Sequence, residues 1–506
     1  MMLTRDEIAQ QFESYSDLLA PNAWCSMLDA FARPLPATMW THPQRATPQW
    51  IADQFANDGH EIKALPYVRG GFMSPKPMKW GRRFEFRTGL IHLQEASSML
   101  PPLALKPNPG ERVLDLCAAP GGKSAQLALM MQNRGTLVVN DLSFNRLRAL
   151  RATQERLGLK NMVLCAQEGQ KLLKDHPPYF DKVLVDAPCS CEGTLRKRGK
   201  WSYAPDEGDF KKRLIATQKA LLLQALKLTK PGGRVVYSTC TIDPLENESV
   251  LNAILDQWQA LKTSGLVQED IYLEPMHFDG LISSEGITSW QGQQWSETLK
   301  HALRVYPHQN DSGGFFLASI RRGKTSQSPA ISLEKWSQPK LCDAQQRQHI
   351  LAWSEQYLGL ADSTWQQVNF TQTNSRYLST ISKDLLLPPT RYQVAGLPSV
   401  YVRGAVPRLT SAGVLEWGQH ATRSVIDLTS RAQVDAYYSG QEQSMAEKAK
   451  QGVCIPRFKG YPLGIAHLKA YEADASLTVL KSEYSKRLRL TEGHSAFEGP
   501  DLAERT

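Results

Sequence analysis

Residues 112–124 read Arg-Val-Leu-Asp-Leu-Cys-Ala-Ala-Pro-Gly-Gly-Lys-Ser. A short apolar run ends in a Pro/Gly turn, and Leu127, Met130 and Met131 then supply the apolar face of a helix. The same unit repeats downstream. Residues 136–140, 161–165, 181–185 and 234–238 read as buried strands. Leu147, Leu150 and Leu157 mark one intervening helix. Leu214, Leu221, Ala225 and Leu228 mark a longer one, expected to stop at Pro231-Gly232-Gly233. Strands alternating with helices predict an α/β domain with a parallel, doubly wound sheet, which binds ligands outside the carboxyl ends of its strands. Residues 303–306 and 314–319 are expected to close it.

On either side the pattern changes. Thr4-Arg-Asp-Glu7 reads as a capping box opening a helix near residues 5–20. Residues 1–100 form an α+β N-terminal module, and the α/β domain spans 101–322. A polar, basic stretch at 321–330 reads as a linker. Residues 331–400 form an intermediate region with a Gln-rich helical start at 343–357, and 401–492 read as short strands and turns of a small β-rich domain.

Composition narrows the class. The 506 residues are 42% hydrophobic and 22% charged, which excludes disorder as the dominant state. No apolar run is long enough to span a membrane, and the polar N-terminus is not a secretory signal, so a cytoplasmic location is expected. The net charge of +9 tilts toward a polyanionic partner. Eight scattered cysteines show no paired CxxC set, and the eleven histidines show no ligand spacing, so no metal site is expected. Nothing demands a partner chain, and a monomer is expected.

Three readings compete for the loop at 115–124. A phosphate-cradling Walker loop needs Gly where Cys117 stands. A dinucleotide fingerprint needs GxGxxG, which is absent. An adenosyl-methionine site remains, with Asp141, nineteen positions after Gly122, placed to bind ribose hydroxyls. An ordinary strand-to-helix turn is the bland alternative.

Two more loops fall at strand carboxyl ends: Asp186-Ala-Pro-Cys-Ser-Cys-Glu-Gly193, and Ser238-Thr-Cys-Thr-Ile-Asp-Pro-Leu-Glu-Asn-Glu248. A free cysteine is most often a small buried hydrophobe. Two at the ligand edge, Cys189 and Cys240, fit that explanation poorly. A redox pair of Cys189 with Cys191 lacks the usual two-residue spacing. Taken together, DLCAAPGGKS, the acid at 141, DAPCS, and STC followed by ENE resemble the Sun family of RNA (cytosine-5) methyltransferases over residues 80–322, with Gln94-Glu-Ala-Ser-Ser-Met99 similar to that family's opening motif. KGYPLGIAHLK and LKSEYSKRLRL resemble the PUA-like RNA-binding domain of bacterial members acting on small-subunit ribosomal RNA.

The resemblance implies a Rossmann-like class I methyltransferase domain using S-adenosyl-L-methionine. Cys240 matches the attacking thiol, Cys189 the residue that assists release, and Asp186 the acid that hydrogen-bonds the cytosine edge. Cys117, Ala118, Ala119, Pro120, Gly121, Gly122 and Lys123 match the methyl-donor loop, with Asp141 as ribose ligand, Glu168 facing the adenine amino group and Asp186 at the same crevice. The family usually has Asp where Glu168 stands and Gly where Cys191 stands. The implied partner is RNA: ribosomal RNA or the small subunit, or else transfer RNA. Beside the crevice, Arg196, Lys197, Arg198, Lys200 and Trp201 combine basic charge with an aromatic ring, as RNA contact requires. Lys76, Lys79, Arg82, Arg83 and Arg87, interleaved with Trp80, Phe84 and Phe86, form a second candidate patch, and Lys481, Lys486, Arg487 and Arg489 a third. The reading from another class is an RNA-binding assembly factor without turnover, which would have no chemical need for both cysteines.

Overall fold

A computed structural model of the chain describes residues 3–174, 176–198, 208–324, 336–404, 406–445, 451–471 and 474–490. Among the described residues the central sheet has ten strands, of which the seven used below are β1 (Arg112–Asp115), β2 (Thr136–Asn140), β3 (Met162–Cys165), β4 (Phe180–Asp186), β5 (Thr229–Thr239), β6 (Leu303–Val305) and β7 (Phe315–Arg322). Their order is β6-β7-β5-β4-β1-β2-β3. The strands from β1 to β5 pair in parallel, whereas β7 runs antiparallel to β5, and β6 to β7. The expected parallel sheet is therefore mixed, antiparallel at the β6-β7 edge and again where residues 394 and 395 pair with β3 at the other.

Alternation along each strand explains the burial. Val113, Leu137 and Val139 enter the core on one face, Leu114 and Val138 the core on the other. Helices cover both faces, so a strand of this sheet reads as continuously apolar. The helices used below are α1 (Gly122–Met130), α2 (Phe144–Leu157), α3 (Gly208–Leu228) and α4 (Glu248–Thr263). Gly121 sits at φ +109, and a Cβ there would lie 2.8 Å from Leu150 of α2, so the turn into α1 requires glycine. α3 ends at Leu228 rather than at the Pro-Gly-Gly. Residues 229–233 already belong to β5, with Thr229 paired to Phe180 and an irregularity before Arg234 pairs with Lys182.

The N-terminal module is α+β as expected. Thr4 and Glu7 form the capping box, but the helix stops at Gln11, followed by a 3₁₀ turn. A four-stranded antiparallel sheet includes Ala37–Thr41 and Ile91–Leu93. Beyond 322 the outcome differs from expectation. The helix near 343–357 is present as Ala344–Leu358. Residues 394 and 395 then join the central sheet beside β3. Val368–Asn374, Tyr377–Ser382, Leu397–Tyr401 and Arg408–Leu409 make one sheet, so a boundary at 400/401 cuts through it. The region after 401 also holds helices at Ser411–Trp417 and Arg431–Ser439, each started by a Thr or Ser cap. A six-stranded sheet follows, including Val425–Leu428, Gly452–Phe458 and Ala466–Tyr471.

This last unit shares a core with the N-terminal module. Met39, Ile51, Phe55, Trp80 and Phe84 pack with Tyr437, Tyr438, Phe458 and Leu480. The Phe84 and Phe458 rings meet edge-on, and Asp58 pairs with both Arg83 and Arg431. Among the described residues no helix is long and apolar enough to cross a membrane.

Candidate functional site

The chain passes outward from β1 to β3, then returns to β4 on the other side of β1. That switch point opens a crevice at the carboxyl ends of β1 and β4, where ligands bind in such sheets. The loops after β1, β4 and β5 meet there.

The β1 loop and the end of β2 lock together. The Ala118 N–H donates to the Asn140 carbonyl at 2.8 Å, and the Ala119 N–H donates to Asp141 Oδ2 at 3.1 Å. Ser143 N–H holds Asp141 Oδ1, and Arg146 flanks the same carboxylate. Cys117 is partly exposed, and burial beside Asp115, Asp186 and Asp141 raises its thiol well above the ordinary range. Gly122 starts α1 against Gln94 of the opening motif, where a Cβ would lie 3.2 Å from Oε1. Gln94 itself accepts from the Trp40 indole. Glu168 lies farther out and half exposed, paired with Lys171.

Asp115 ends β1 at the same crevice. It is 1% exposed, with Ser124 donating to Oδ2 at 2.6 Å and no partner on Oδ1. Burial, opposed by Ser124, pushes its carboxyl up to about 7. A buried carboxylate oxygen without a donor, beside a glycine turn and the fixed Asp141 carboxylate, suits a ligand carrying an amino group and ribose hydroxyls. The donor set therefore fits S-adenosyl-methionine.

The β4 loop carries the reactive groups. Lys123 Nζ pairs with Asp186 Oδ2 at 2.7 Å, and Ser238 donates to Oδ1 at 2.8 Å. Burial alone would lower Lys123; the Asp186 charge holds it up, so it stays a cation. Cys189 Sγ lies 3.3 Å from Cys240 Sγ and 3.8 Å from Cys191 Sγ. Hydrogen bonds from Cys189 to Cys191 and Cys240, with burial, raise the Cys189 thiol well above its ordinary range. Cys189 eases the proton off Cys240, but Cys191, burial and the Asp186 charge outweigh it, so Cys240 is also a thiol at rest.

Behind the thiols, the ENE sequence anchors both loops. Glu246 accepts from the Ser190 N–H and hydroxyl and from Gln218. Asn247 accepts from Thr239 Oγ1 at 2.6 Å and donates to the Thr241 carbonyl. Glu248 is fully buried against Arg304, at 2.6 and 2.5 Å, and Arg304 also donates to the Ile242 carbonyl. Gly193 donates to the Cys240 carbonyl, and a Cβ there would lie 2.1 Å from Gly314 O. The N-terminal module reaches this shell through Tyr15, whose hydroxyl lies 3.2 Å from Asp243. Tyr15 carries no signal in the sequence, and Glu192, Asp243 and Glu246, although they lie in the loops after β4 and β5, give no sign there of meeting as one set of carboxyl groups.

That set titrates. Burial, then the charges of Glu246 and Asp243, push Glu192 up to about 8; burial, opposed by Ser190, pushes Glu246 up to about 7. Lys211 is the cation paired with Asp243. A carboxyl raised on folding holds its proton longer in the folded than in the unfolded chain. Its contribution is full below the unfolded value near 4.5 and is lost as pH rises through about 8. Glu192→Gln, neutral throughout, is expected to gain stability relative to the native protein progressively from pH 5 to 8.5. Thermal midpoints across that range test it; a constant difference would refute the assignment.

Two basic clusters look different in three dimensions. Arg196 is 4% exposed, not a free RNA contact: it pairs with Asp311 at 2.6 Å and donates to the carbonyls of Arg33, Pro34 and Ser312. Lys197 is exposed. The Arg198 side chain, Lys200 and Trp201 lie outside the described residues. In the second cluster, Trp80 and Phe84 are core residues, and Arg83 is fully buried between Asp58 and Glu85. Arg87 lies over the Tyr438 and Tyr484 rings, so these aromatics pack rather than stack on bases.

Residues 102–321 match the family described as 16S rRNA methyltransferase RsmB/F. A tRNA (cytosine(49)-C(5))-methyltransferase from Pyrococcus abyssi is 37% identical over 266 residues, 52% of this chain and 80% of that protein. The chain belongs to the Sun family of RNA (cytosine-5) methyltransferases. S-adenosyl-L-methionine is the family's methyl donor. A ribosomal RNA small subunit methyltransferase F from Shewanella loihica is 29% identical over 448 residues, 86% of each chain. One of that name from Erwinia tasmaniensis is 35% identical over 271 residues, 52% of each. Among solved structures, a methyltransferase homologue from Pyrococcus horikoshii superposes with a TM-score of 0.53 at 34% identity, covering 62% of this chain and 94% of that one. The Sun-family methyltransferase core thus coincides with the sheet and loops described above.

Proposed function

We propose that this chain methylates C5 of a cytosine in small-subunit ribosomal RNA through a covalent bond between Cys240 and cytosine C6. The 3.3 Å contact of the Cys189 and Cys240 sulfurs, beside the Lys123–Asp186 pair, carries the reading. Cytosine C5 is a poor nucleophile. A thiolate adding to C6 makes C5 enamine-like, able to take up a methyl group. S-adenosyl-methionine, when bound, supplies that methyl group as an electrophile.

Asp186, held by Lys123 and Ser238, accepts hydrogen bonds from the N3/N4 edge of the cytosine and favours the protonated base. After transfer, Cys189, once its own proton has passed to solvent, takes the C5 proton as a thiolate; the C–H electron pair forms the C5=C6 bond and the Cys240–C6 bond breaks, returning its electron pair to sulfur. The target base leaves its stack to enter the crevice. The loop from Cys117 to Lys123, with Asp141, would hold the donor, and Glu168 would serve its adenine amino group. Lys197 and Lys486 are exposed charges available to phosphate, Lys481 is exposed but paired with Glu442, and the unit from 425 to 490 serves as a PUA-like RNA-binding element.

The ribosomal substrate is favoured over transfer RNA by one observation. The Shewanella relative, named for the small subunit, matches 86% of this chain, whereas the match to the Pyrococcus abyssi relative, named for tRNA, covers 52%. Methyl-labelled donor incubated with unmodified small subunits, free 16S RNA and bulk transfer RNA decides the matter. Label at a single cytosine of the ribosomal RNA is expected. Label confined to transfer RNA would overturn the substrate assignment, and none in any RNA would favour the assembly-factor reading.

A further inference from the structure

Cys191 stands where the resembling family usually has glycine, and the proposed chemistry leaves it without a task. Its backbone is left-handed, φ +66, which turns the side chain back over the loop, with Sγ 3.2 Å from the Cys189 carbonyl. All three sulfurs, Cys189, Cys191 and Cys240, lie within 4.8 Å of one another, the first buried and the others partly exposed. Tetrahedral zinc with bonds of about 2.3 Å places its sulfurs about 3.8 Å apart. The observed separations of 3.3 and 3.8 Å lie within half an ångström of that value. Spacing along the chain hides the set, because Cys240 comes from a different loop.

We propose that Cys189, Cys191 and Cys240 form a three-thiolate site for a soft divalent cation, zinc, that holds the enzyme inactive. Three sulfur ligands select zinc over magnesium or calcium, and the fourth position is left to water. Three S–H protons pass to solvent as three S–Zn bonds form, and no electron is transferred. The inhibitory consequence rests on the roles given to Cys240 and Cys189 above: a sulfur bound to zinc cannot attack C6 or take the C5 proton. Metal binding itself does not depend on those roles. Native RNA and zinc then compete for one pair of sulfurs.

The test uses the full-length protein, reduced and freed of metal. Cobalt(II) serves as the optical probe and zinc as its competitor against a chromogenic chelator. One equivalent of cobalt is expected to give thiolate-to-metal charge-transfer absorption, displaced by zinc. Cys191→Gly suits the left-handed backbone and is expected to lose that absorption and to bind zinc on the order of 100-fold more weakly. It should keep its methyl transfer in metal-free buffer while losing zinc inhibition. Cys191→Ala serves as a second variant should the first not fold. Absence of the charge-transfer band in the native protein, or equal zinc affinity in native and variant proteins, overturns the site. A band at this site with no inhibition would leave the metal site standing and refute the assigned roles of Cys240 and Cys189.

Discussion

Cys189→Ala protein purified from cells is expected to carry RNA joined to it covalently. The attacking sulfur, Cys240, remains, and methyl transfer proceeds, but the C5 proton has no base at 3.3 Å from that sulfur. Release stalls, and turnover falls by on the order of 10³-fold or more. On a denaturing gel the variant should show a slow-migrating band that nuclease removes. Adding Cys240→Ala should abolish the band, because no bond to C6 can form, and Cys240→Ala alone should lose on the order of 10⁴-fold in rate. Sequencing the trapped RNA identifies the substrate. A folded Cys189→Ala protein that binds S-adenosyl-methionine yet traps nothing from cells would sink the roles given to both thiols.

Arg304→Leu is expected to cost about 3–5 kcal/mol of stability, because it leaves Glu248 buried without its counter-ion. Arg304 and Glu248 are 2% and 0% exposed, so solvent does not reach the carboxylate to replace the lost cation. The thermal midpoint should fall by roughly 6–20 °C. Because Arg304 also donates to the Ile242 carbonyl, methyl transfer should fall even below the unfolding range, as the Cys240 loop loses a support. The double variant Arg304→Leu, Glu248→Leu removes both charges and should recover much of the stability without the activity. A single variant as stable as the native protein would show that Glu248 finds another partner or a proton.

The central sheet was legible because both its faces are covered, so each strand is an uninterrupted apolar run bounded by turn residues. Helix α2 buries Leu147, Leu150 and Leu157, the three positions that marked it, with Ser143 as its cap and Gly158 as its stop. Hydrophobic runs do not record pairing direction, so the antiparallel β7 was hidden. Cys189 and Cys240 stood out in the sequence because both fall just past strand ends, and Asp186 joined them through the resemblance to the Sun family; folding brings the two loops that carry them to one crevice. Arg196 misled because charge predicts exposure only until a guanidinium finds an acid and three carbonyls, all distant in sequence. Trp80 and Phe84 misled for the same reason: Phe55 packs on Trp80 and Phe458 on Phe84, both distant in sequence. Tyr15 gave no sign, and Cys191 stood out only as a cysteine where the family usually has glycine, since their meaning lies in what folding sets beside them.

The core shared by the two ends of the chain has a consequence for synthesis. Arg87 donates to the Leu488 carbonyl across 401 residues. At ordinary rates of translation, roughly 20–80 s separate the emergence of those partners from the ribosome. For that interval Ile51, Phe55 and Phe84 present bare apolar surface, which marks the nascent N-terminal module as a client for chaperones that hold unfinished chains. Products of premature termination would keep that surface exposed for good, and so be recognised and degraded before they could occupy RNA.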